Sequence, residues 1–354
     1  MYLVFYISSH GFGHMTRCLS IIEYILNNSD YNLYIACSKK QNDFARIYLS
    51  KFENRIIYKD ILTDIGFINK NNSLEIDVEL LESKLVEFIL SWDDVIKNEY
   101  EYLKNLDIKC IINDISPIGC ILGEKLKVDN FFVSNFSWVE QYEYLNLDKF
   151  IIDEFRKAYS YINKFIKYNL CLNVNSIKAK ETYEFGFICR SIDKVKVNNI
   201  RNKYGESIFI TCGKSANLKC IGISNFKGTI FITSGIDIRC GNACEIVELP
   251  IDTLDTQNYI AASNIVIAKA GWGTIAEGII GHSKLVLIER NSAKEDSFNI
   301  SSIKNNNLGI SIKESDLYSI DISKLEKNLN ENINLNKLKN YKNDVKKLVD
   351  IILK

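Results

Sequence analysis

Short apolar runs rich in Ile, Val and Phe alternate with longer stretches of helical period, and this alternation constrains the fold more than any other feature. Strands are predicted at Tyr2–Ile7, Asn32–Cys37, Cys110–Asn113, Asn130–Ser134, Leu170–Val174, Ile208–Thr211, Gly228–Ile232, Glu245–Leu249, Ile265–Ala268 and Leu285–Ile288, and long helices at Thr16–Asn27, Leu74–Asn105 and Asp148–Ile166. Parallel strands are joined by crossover helices that cover both faces of a sheet. The pattern therefore predicts an α/β protein built on doubly wound parallel sheets.

The length of the chain and one polar segment predict two domains. A chain of 354 residues exceeds the size of a usual single hydrophobic core. A polar stretch from Glu184 to Gly205 interrupts the alternation, and a new strand and glycine turn follow it. We therefore expect an amino-terminal Rossmann-like domain over 1–185, a connector over 186–205 and a carboxyl-terminal Rossmann-like domain over 206–334.

The final stretch, 335–354, is expected to form one amphipathic helix. Its apolar face would carry Leu338, Tyr341, Val345, Leu348 and Ile352, and its other face Lys337, Lys339, Lys342, Lys346 and Lys347. Packing of the apolar face on the body of the protein, with the amino-terminal domain as one candidate surface, is the main expectation. Peripheral contact of the lysine face with a membrane surface is the alternative.

Composition narrows the class of partner. Lys+Arg and Asp+Glu balance at 44 each, so no excess of basic charge is present to neutralise a nucleic acid. Most of the ten cysteines lie in apolar runs, which is typical of reduced, buried thiols in a cytoplasmic enzyme. The first residues read as a strand rather than a signal peptide, and no apolar run approaches the roughly 18 residues that span a bilayer.

The first chemical motif is the glycine turn His10-Gly11-Phe12-Gly13-His14, which follows a strand and opens a helix. It is a poor dinucleotide fingerprint, because Thr16 stands at the third glycine position and no acid ends the next strand. His14 and Arg17 lie three residues apart at the helix start, so both can reach the same anion or sugar. His10 and His14 lack a third ligand, and we therefore expect no metal site here.

The second motif is Lys269-Ala270-Gly271-Trp272-Gly273-Thr274, again between a strand and a helix. Thr274 can cap that helix, whose amide groups would face an anion. Glu277, one turn further, is placed to accept hydrogen bonds from a ribose diol. The alternative is a capping box, in which Thr274 and Glu277 satisfy each other's backbone donors.

Other polar residues follow predicted strands. Glu295 and Asp296 precede Asn299 on an expected loop, where they can bind sugar hydroxyls. Further candidates are the turn residues Gly213 and Ser215, then Asp114 at a strand end, and Asn135 and Trp138 after another strand. The alternatives are that Asp114 is a plain turn residue and that Trp138 is a core residue. No Asp-x-Asp pair is present to hold a divalent metal, so helix starts and basic side chains would have to meet the charge of a diphosphate.

Together these motifs resemble glycosyltransferases of the B-type fold (GT-B), in which two Rossmann-like halves face each other across a cleft. The glycine loop from His10 to Arg17, the run Asn135-Phe136-Ser137-Trp138 after Asp114, and the segment from Ala270 to Glu277 carry the resemblance. The nearest pattern is the branch of the lipid II-forming N-acetylglucosaminyltransferase and its bacterial relatives. The second of these segments also resembles the amino-terminal region of arabinokinase-like proteins.

The resemblance implies a metal-independent, inverting transfer of a sugar from a UDP-type donor to an unknown small-molecule, lipid or glycan acceptor, with no cofactor. It implies that His14 is catalytic, that Glu277 binds the ribose, and that Glu295, Asp296 and Asn299 bind the donor sugar. The donor diphosphate would contact Gly13, Arg17, Gly213, Ser215, Lys269, Gly271, Gly273 and Thr274, and the acceptor side would include His10, Asp114, Asn135 and Trp138.

Two alternatives remain open at this point. The Gly-Phe-Gly-His turn also resembles nucleotide-sugar hydrolases, in which water attacks the donor instead of an acceptor hydroxyl. A binding or sensor protein that kept the fold without the chemistry is the other alternative. The presence of His14, Glu277 and Glu295 weighs against the sensor, because a pure binder would not need a histidine at the first loop.

Overall fold

In the computed structural model, strands and helices make up most of the chain. The strands are β1 Tyr2–Ile7, β2 Asn32–Cys37, β3 Ile56–Asp60, β4 Ile108–Asp114, β5 Asp129–Ser134, β6 Lys164–Tyr168, β7 Glu181–Phe185, β8 Ser207–Thr211, β9 Leu218–Ser224, β10 Gly228–Thr233, β11 Ile236–Cys240, β12 Cys244–Leu249, β13 Ile265–Lys269, β14 Lys284–Glu289, β15 Gly309–Lys313 and β16 Ile320–Asp321. The α-helices are α1 Gly13–Asn28, α2 Lys39–Tyr48, α3 Val78–Leu90, α4 Trp92–Leu103, α5 Pro117–Leu126, α6 Trp138–Tyr144, α7 Lys149–Tyr159, α8 Lys194–Tyr204, α9 Thr256–Ala262, α10 Trp272–Gly281, α11 Lys294–Asn305, α12 Ile322–Asn332, α13 Leu335–Lys339 and α14 Val345–Ile352. The structure describes every residue except 71–74, 171, 173, 213–217 and 291–292, and it leaves out the side chains of 218–220.

Met1–Asn69, Ile76–Phe185 and Asp344–Lys354 form the amino-terminal unit. Its seven strands make one parallel sheet in the order β3-β2-β1-β4-β5-β6-β7. The order reverses between β1 and β4, and the register there pairs Ile7 with Asp114 at the carboxyl ends of both strands. A reversal of this kind opens a crevice at the carboxyl edge of a parallel sheet, where ligands bind.

Lys70–Glu75 and Gly186–Asn343 form the carboxyl-terminal unit. Its six-stranded parallel sheet has the order β12-β10-β8-β13-β14-β15, with the reversal between β8 and β13. A small parallel sheet of three strands, β11-β9-β16, accompanies it.

The prediction of an α/β chain with parallel sheets in two domains is confirmed. The central strands are apolar on both faces, and the side chains from Leu3 to Ile7 and from Val266 to Ala268 are completely buried. Strands of this composition are stable only where helices cover both faces of the sheet, as they do here.

The segment 186–205 is more than the connector that its polarity predicts. It contains α8 and belongs to the carboxyl-terminal unit. The side chain of Asp193 accepts hydrogen bonds from the backbone N–H groups of Val195 and Lys196 and thereby caps α8. Val197 is buried against Ala261 and Ala262 at the end of α9. One buried residue on an otherwise polar helix is a weak signal, so the sequence pattern does not reveal this helix.

Several predicted elements have other bounds in the structure. The helix expected over Leu74–Asn105 is two helices that meet at Ser91, and Leu74 itself lies outside the described residues. The helix expected over Asp148–Ile166 ends at Tyr159, and β6 follows it. The strand expected at Leu170–Val174 is wrong where it is described: Leu170 lies in a turn with φ +63, and β7 is the strand beside β6.

The final stretch is also two helices, α13 and α14, rather than one. In the non-helical segment between them, Asn343 Nδ2 donates to the carbonyl oxygen of Cys189 at 2.6 Å. Beyond this break α14 packs against α1 in the amino-terminal unit, with Leu348 and Val349 buried.

Candidate functional site

Hydrogen bonds from a side chain of α2 fix the glycine loop between β1 and α1. Gly11 has φ +63, a conformation that glycine adopts without strain, and α1 begins at Gly13. The Nε2 group of Gln41 donates to the carbonyl oxygens of Ser9 at 2.6 Å and Gly11 at 3.1 Å. The loop therefore enters α1 in a fixed direction.

The spacing of His14 and Arg17 predicted that both can reach the same bound anion or sugar. In the structure both side chains contact a carboxylate of the chain itself, that of Asp114. Asp114 ends β4, the strand beside β1, and is completely buried. His14 Nδ1 lies 2.7 Å from Asp114 Oδ1. Arg17 donates from Nε to Oδ2 at 2.9 Å and from a terminal nitrogen to Oδ1 at 2.5 Å. Cys18 Sγ is a further donor at 3.1 Å, so one turn of α1 surrounds the carboxylate.

This arrangement fixes the charge of Asp114 and constrains the ring of His14. Burial raises the pKa of the Asp114 carboxyl, but the charges and hydrogen bonds of Arg17 and His14 outweigh burial and hold that pKa well below its usual range. An ionised carboxylate only accepts hydrogen bonds, and a guanidinium only donates them. His14 Nδ1 also lies 2.9 Å from a terminal nitrogen of Arg17, which is a donor and would favour an unprotonated Nδ1. The shorter contact, 2.7 Å to Asp114, favours the neutral tautomer with its proton on Nδ1, and this tautomer leaves Nε2 with a lone pair that can take a proton from a hydroxyl.

The structure corrects the expected role of Arg17. Its side chain is only 3% exposed, and the nitrogens that do not bond Asp114 include one that donates to Asn135 Oδ1 at 2.8 Å. The Asp114 carboxylate raises the pKa of the guanidinium although burial lowers it, so Arg17 stays charged. Since this charge is paired inside the unit, Arg17 is not available to a donor diphosphate.

Three residues that were expected to face the acceptor are completely buried: Asp114, Asn135 and Trp138. They support the site from the interior of the unit. Trp138 Nε1 donates to Asp64 Oδ2 at 2.8 Å, and the backbone N–H of Ser9 donates to Asp64 Oδ1 at 2.7 Å. Burial raises the pKa of Asp64, and these donors oppose that shift. Asp64 thus joins the glycine loop to α6.

The segment 61–69, to which Asp64 belongs, is a wall of the site that the sequence pattern does not indicate. A Cβ atom on Gly66 would lie 1.9 Å from Nδ1 of His10, so the His10 ring rests directly on the Gly66 backbone. The His10 ring centroid lies 6.0 Å from that of Phe67 and 5.9 Å from that of Trp138. His10 and Phe67 are half-buried and form the accessible part of this aromatic group.

In the carboxyl-terminal unit, the N-cap of α10 lies three residues earlier than the expected cap, Thr274. Gly271 is the N-cap residue, so Thr274 lies inside the first turn and the capping box with Glu277 does not form. The first-turn amide groups of Gly273 and Thr274 have no acceptor within the helix, and no acid occupies that turn. The start of α10 therefore offers N–H groups to an anion.

Glu277 is paired with an arginine that sequence analysis did not identify. Arg190 donates from Nε to Glu277 Oε1 at 2.9 Å, and it also donates to the carbonyl oxygen of Leu254 at 2.5 Å and to Thr256 Oγ1 at 2.9 Å. Among the described residues, Glu277 Oε2 accepts no hydrogen bond. Arg190 orients the carboxylate and leaves that oxygen as an acceptor. The available signal was an arginine directly after the apolar run from Phe187 to Cys189, because a buried charge needs a partner.

Lys269 ends β13 beside the start of α10 and is half-buried. Burial lowers the pKa of its ammonium group, and the nearby charge of Arg290 lowers it further, although Asp296 and Glu295 oppose both effects. A cation that costs free energy to keep buried favours an anionic ligand, because the ligand's charge stabilises it.

Glu295 and Asp296 lie in the first turn of α11 rather than on a loop. Asp296 is buried and accepts a hydrogen bond from Arg290 Nε at 2.9 Å. Asn299 is completely buried, and its Nδ2 donates to the carbonyl oxygen of Ala270 at 2.8 Å, which ties α11 to the start of α10. Glu295 remains half-buried, so of these three expected sugar ligands it is the most accessible. Gly213 and Ser215 lie outside the described residues.

Among the residues that the structure describes, no group of three or more His, Cys, Asp and Glu side chains is placed to hold a metal ion. In the same part of the chain, no helix combines the length and the apolar character needed to cross a membrane.

The fold is that of the GT-B glycosyltransferases. Arabidopsis thaliana UGT89C1, solved with UDP-L-rhamnose, matches over 99% of this chain and 97% of that chain, with a TM-score of 0.64 and 12% identity. A UDP-glucosyltransferase from Polygonum tinctorium capable of glucosylating indoxyl matches over 100% of this chain and 98% of that chain, with a TM-score of 0.62 and 10% identity.

Sequence comparison points to the same class. Residues 243–352 match the glycosyltransferase family 28 C-terminal domain. L-arabinokinase of Arabidopsis thaliana is 21% identical over 321 residues, which is 83% of this chain. The chain spans 29% of the length of that protein. The family 28 match and the fold together support a glycosyltransferase.

Proposed function

We propose that the chain transfers a sugar from a UDP-sugar to a hydroxyl group of an acceptor, with inversion and without a metal ion. The observation that carries the proposal is the distance of 2.7 Å between His14 Nδ1 and Asp114 Oδ1, which leaves Nε2 of His14 as a base. The relative UGT89C1, which shares the fold, was solved with UDP and with UDP-L-rhamnose, and this supports the choice of nucleotide.

The proposed reaction is a single displacement. The acceptor oxygen forms a bond to the anomeric carbon while the bond from that carbon to the β-phosphate oxygen breaks, and its electron pair leaves with UDP. The acceptor proton moves to Nε2 of His14. Asp114 stabilises the imidazolium that forms and keeps the ring oriented.

The carboxyl-terminal unit supplies the donor side in this proposal. Lys269 and the first-turn amides of α10, with Gly271, Gly273 and Thr274, would meet the negative charge of the diphosphate. Glu277 Oε2 would accept from a ribose hydroxyl, and Glu295 from the donor sugar. Asp296 and Asn299, which are buried, would hold Arg290 and the start of α10 in position through their hydrogen bonds.

We further propose that this donor side is of the type found in the branch of the lipid II-forming N-acetylglucosaminyltransferase. The match of residues 243–352 to the family 28 C-terminal domain supports this part. The similarity to L-arabinokinase extends over 83% of the chain.

The test is incubation of the full chain with a panel of UDP-, GDP- and TDP-sugars and candidate acceptors, followed by mass spectrometry. His14→Ala should lower turnover by about 10² to 10⁴-fold, the usual contribution of a positioned base, and leave nucleotide affinity unchanged. His282→Asn is the matched control, because His282 caps the far end of α10 with φ +63, which Asn tolerates. Rapid, stoichiometric release of free sugar without an acceptor would support hydrolysis instead. No thermal shift with UDP, GDP or TDP, or full turnover by His14→Ala, would contradict the proposal.

A further inference from the structure

The amino-terminal unit contains a cavity of about 290 Å³ between α4, α5 and α7. Pockets that hold small ligands have volumes of about 300–1,000 Å³, so this cavity has room for one compact molecule. No residue of the candidate site described above lines it. We call it the helix cavity, and it is a separate place at which this unit can receive a ligand.

The buried part of the lining is apolar and aromatic. Ile96 of α4 and Ala158 of α7 are buried there. Trp92, the first residue of α4, is only 5% exposed, and its ring lies edge to face against those of Phe88 and Phe155, with centroids 5.8 and 5.4 Å away. The apolar body of a ligand gains free energy when it removes this lining from water.

The indole N–H of Trp92 is a buried donor. Among the residues that the structure describes, none accepts a hydrogen bond from it. The N–H of a buried tryptophan usually has an acceptor, as that of Trp138 has in Asp64, because a buried donor without one costs free energy. Trp92 lines the helix cavity, so an oxygen atom of a ligand there would supply the acceptor.

Charged side chains of both signs also line the helix cavity. The cations are Lys97, Lys125 and Lys157, which are exposed, and the carboxylates are Asp93 and Glu154. In the described part of the chain, none of these five side chains forms an ion pair. Asp93 lies in the first turn of α4, where the helix dipole stabilises a carboxylate. The lining therefore has an excess of positive charge.

We propose that the helix cavity binds a small carboxylate with an apolar body, a ligand separate from the donor and the acceptor of the sugar transfer. Its oxygens accept from the Trp92 N–H and from the lysines, and such charge-assisted hydrogen bonds are stronger than those between neutral groups. An amine would bring its charge to Asp93 and Glu154 but leave the Trp92 N–H without an acceptor. A neutral amide has an acceptor oxygen but gains nothing from the excess of positive charge.

The test compares probes that differ only in the head group, on the full chain labelled with ¹⁵N. The first series is 3-phenylpropionate, 3-phenylpropanamide and 3-phenylpropylamine, and the second is hexanoate, hexanamide and hexylamine. Calorimetry gives the Kd, and NMR follows the indole N–H signals of the three tryptophans, among which Trp92→Phe identifies that of Trp92. In at least one series we expect the carboxylate to bind most tightly and the amine most weakly. The bound carboxylate should move the Trp92 proton signal to lower field.

Matched variants separate the helix cavity from general effects of substitution. Trp92→Phe keeps a ring but removes the donor, so the Kd of the carboxylate should rise about tenfold or more. Lys125→Met removes an exposed cation of the lining and should raise this Kd about two- to fivefold. Lys149→Met, an exposed position on α7 outside the lining, is the control and should leave it unchanged. Every variant should keep the UDP affinity of the wild type.

Three results would overturn the inference. One is that neither carboxylate binds or moves the Trp92 signal. Another is that the amide or the amine binds as tightly as the carboxylate in both series. The third is that Lys125→Met and Lys149→Met have equal effects, which would mean attraction to surface lysines only. If Trp92→Phe fails to fold and so loses UDP binding, the two lysine variants and the indole signal of the wild type still decide.

Discussion

Arg17 and Asp114 are joined by two hydrogen bonds, of 2.9 and 2.5 Å, at a place where both side chains are buried. His14 shares the same carboxylate, with Nδ1 at 2.7 Å. A pair of buried, opposite charges is costly to separate, since removing one partner leaves the other desolvated. The orientation of the proposed base therefore depends on an ion pair that also holds α1 against β4.

Replacement of Asp114 by Asn tests this dependence. The carboxamide has nearly the same shape, but it can donate to Nδ1 and would then favour the tautomer with the proton on Nε2. Turnover should fall by about 10² to 10⁴-fold, the range for loss of a positioned base. The free energy of unfolding should fall by about 3–5 kcal/mol, because Arg17 is left buried without its counter-ion. Sugar transfer and urea unfolding measure the two effects.

Asp129→Asn is the control for the loss of a carboxylate in the same unit. Asp129 bonds Lys164 at 2.7 Å but is 47% exposed. An exposed pair contributes at most about 1 kcal/mol, so this variant should keep its activity and nearly all its stability. Full turnover by Asp114→Asn would show that the carboxylate does not act through His14.

The same pair predicts how stability varies with pH. Because the pKa of Asp114 is lower in the folded chain than in the unfolded chain, its contribution is present above the unfolded pKa, about 3.9, and is lost as the pH falls below it. The difference in unfolding free energy between the wild type and Asp114→Asn should stay constant from about pH 8 to about pH 5 and then shrink. Urea unfolding at a series of pH values measures it. A difference that grows with acidification would mean that Asp114 is not ionised in the folded protein.

Sequence analysis predicted the architecture because the responsible signals are local. Strands such as β1 and β13 are continuous apolar runs, and glycine turns follow both of them. The helical period is equally clear after each turn. Two polar segments were less informative: α8 has one buried residue, Val197, and the final stretch is divided near Asn343, which contacts Cys189, 154 positions earlier in the sequence.

The partners of the site residues could not be predicted from local pattern. The spacing of His14 and Arg17 shows that both side chains can reach one group, but it does not tell a bound ligand from the carboxylate of Asp114, 97 positions beyond Arg17 in the sequence. The pairing of Arg190 with Glu277 could not be predicted for the same reason, because these residues are 87 positions apart in the sequence. The segment with Asp64 and Gly66 has neither strong periodicity nor a motif, and its role depends on which rings meet it in space.

Glu277→Gln tests the proposed ribose contact. Arg190 would still have an oxygen to bond, but the charged acceptor at Oε2 would be lost. A hydrogen bond to a charged group contributes about 1.5–3 kcal/mol, so the affinity for UDP should fall about tenfold or more. The wild type should bind UDP more tightly than 2′-deoxy-UDP, and the variant should bind both alike. Calorimetric titration provides the comparison, and Glu331→Gln, an exposed position on α12, is the control. If the wild type bound UDP and 2′-deoxy-UDP with equal affinity, Glu277 would not be the residue that binds the ribose.

The ammonium group of Lys269 is proposed to bind the diphosphate, and its pKa provides a test. Burial and the charge of Arg290 lower the pKa of this ammonium group, so it loses its proton at a lower pH than an exposed lysine does. If the ammonium binds the diphosphate, the Kd for UDP should rise with pH before the usual range of lysine, near 10.4, is reached. Lys269→Arg should remove this rise, because arginine stays charged, and Lys269→Met should weaken binding at every pH. Ionisation of the uracil base is common to the wild type and Lys269→Arg, so the difference between them isolates the side chain. Identical pH profiles for these two proteins, or unchanged affinity in Lys269→Met, would place the diphosphate elsewhere.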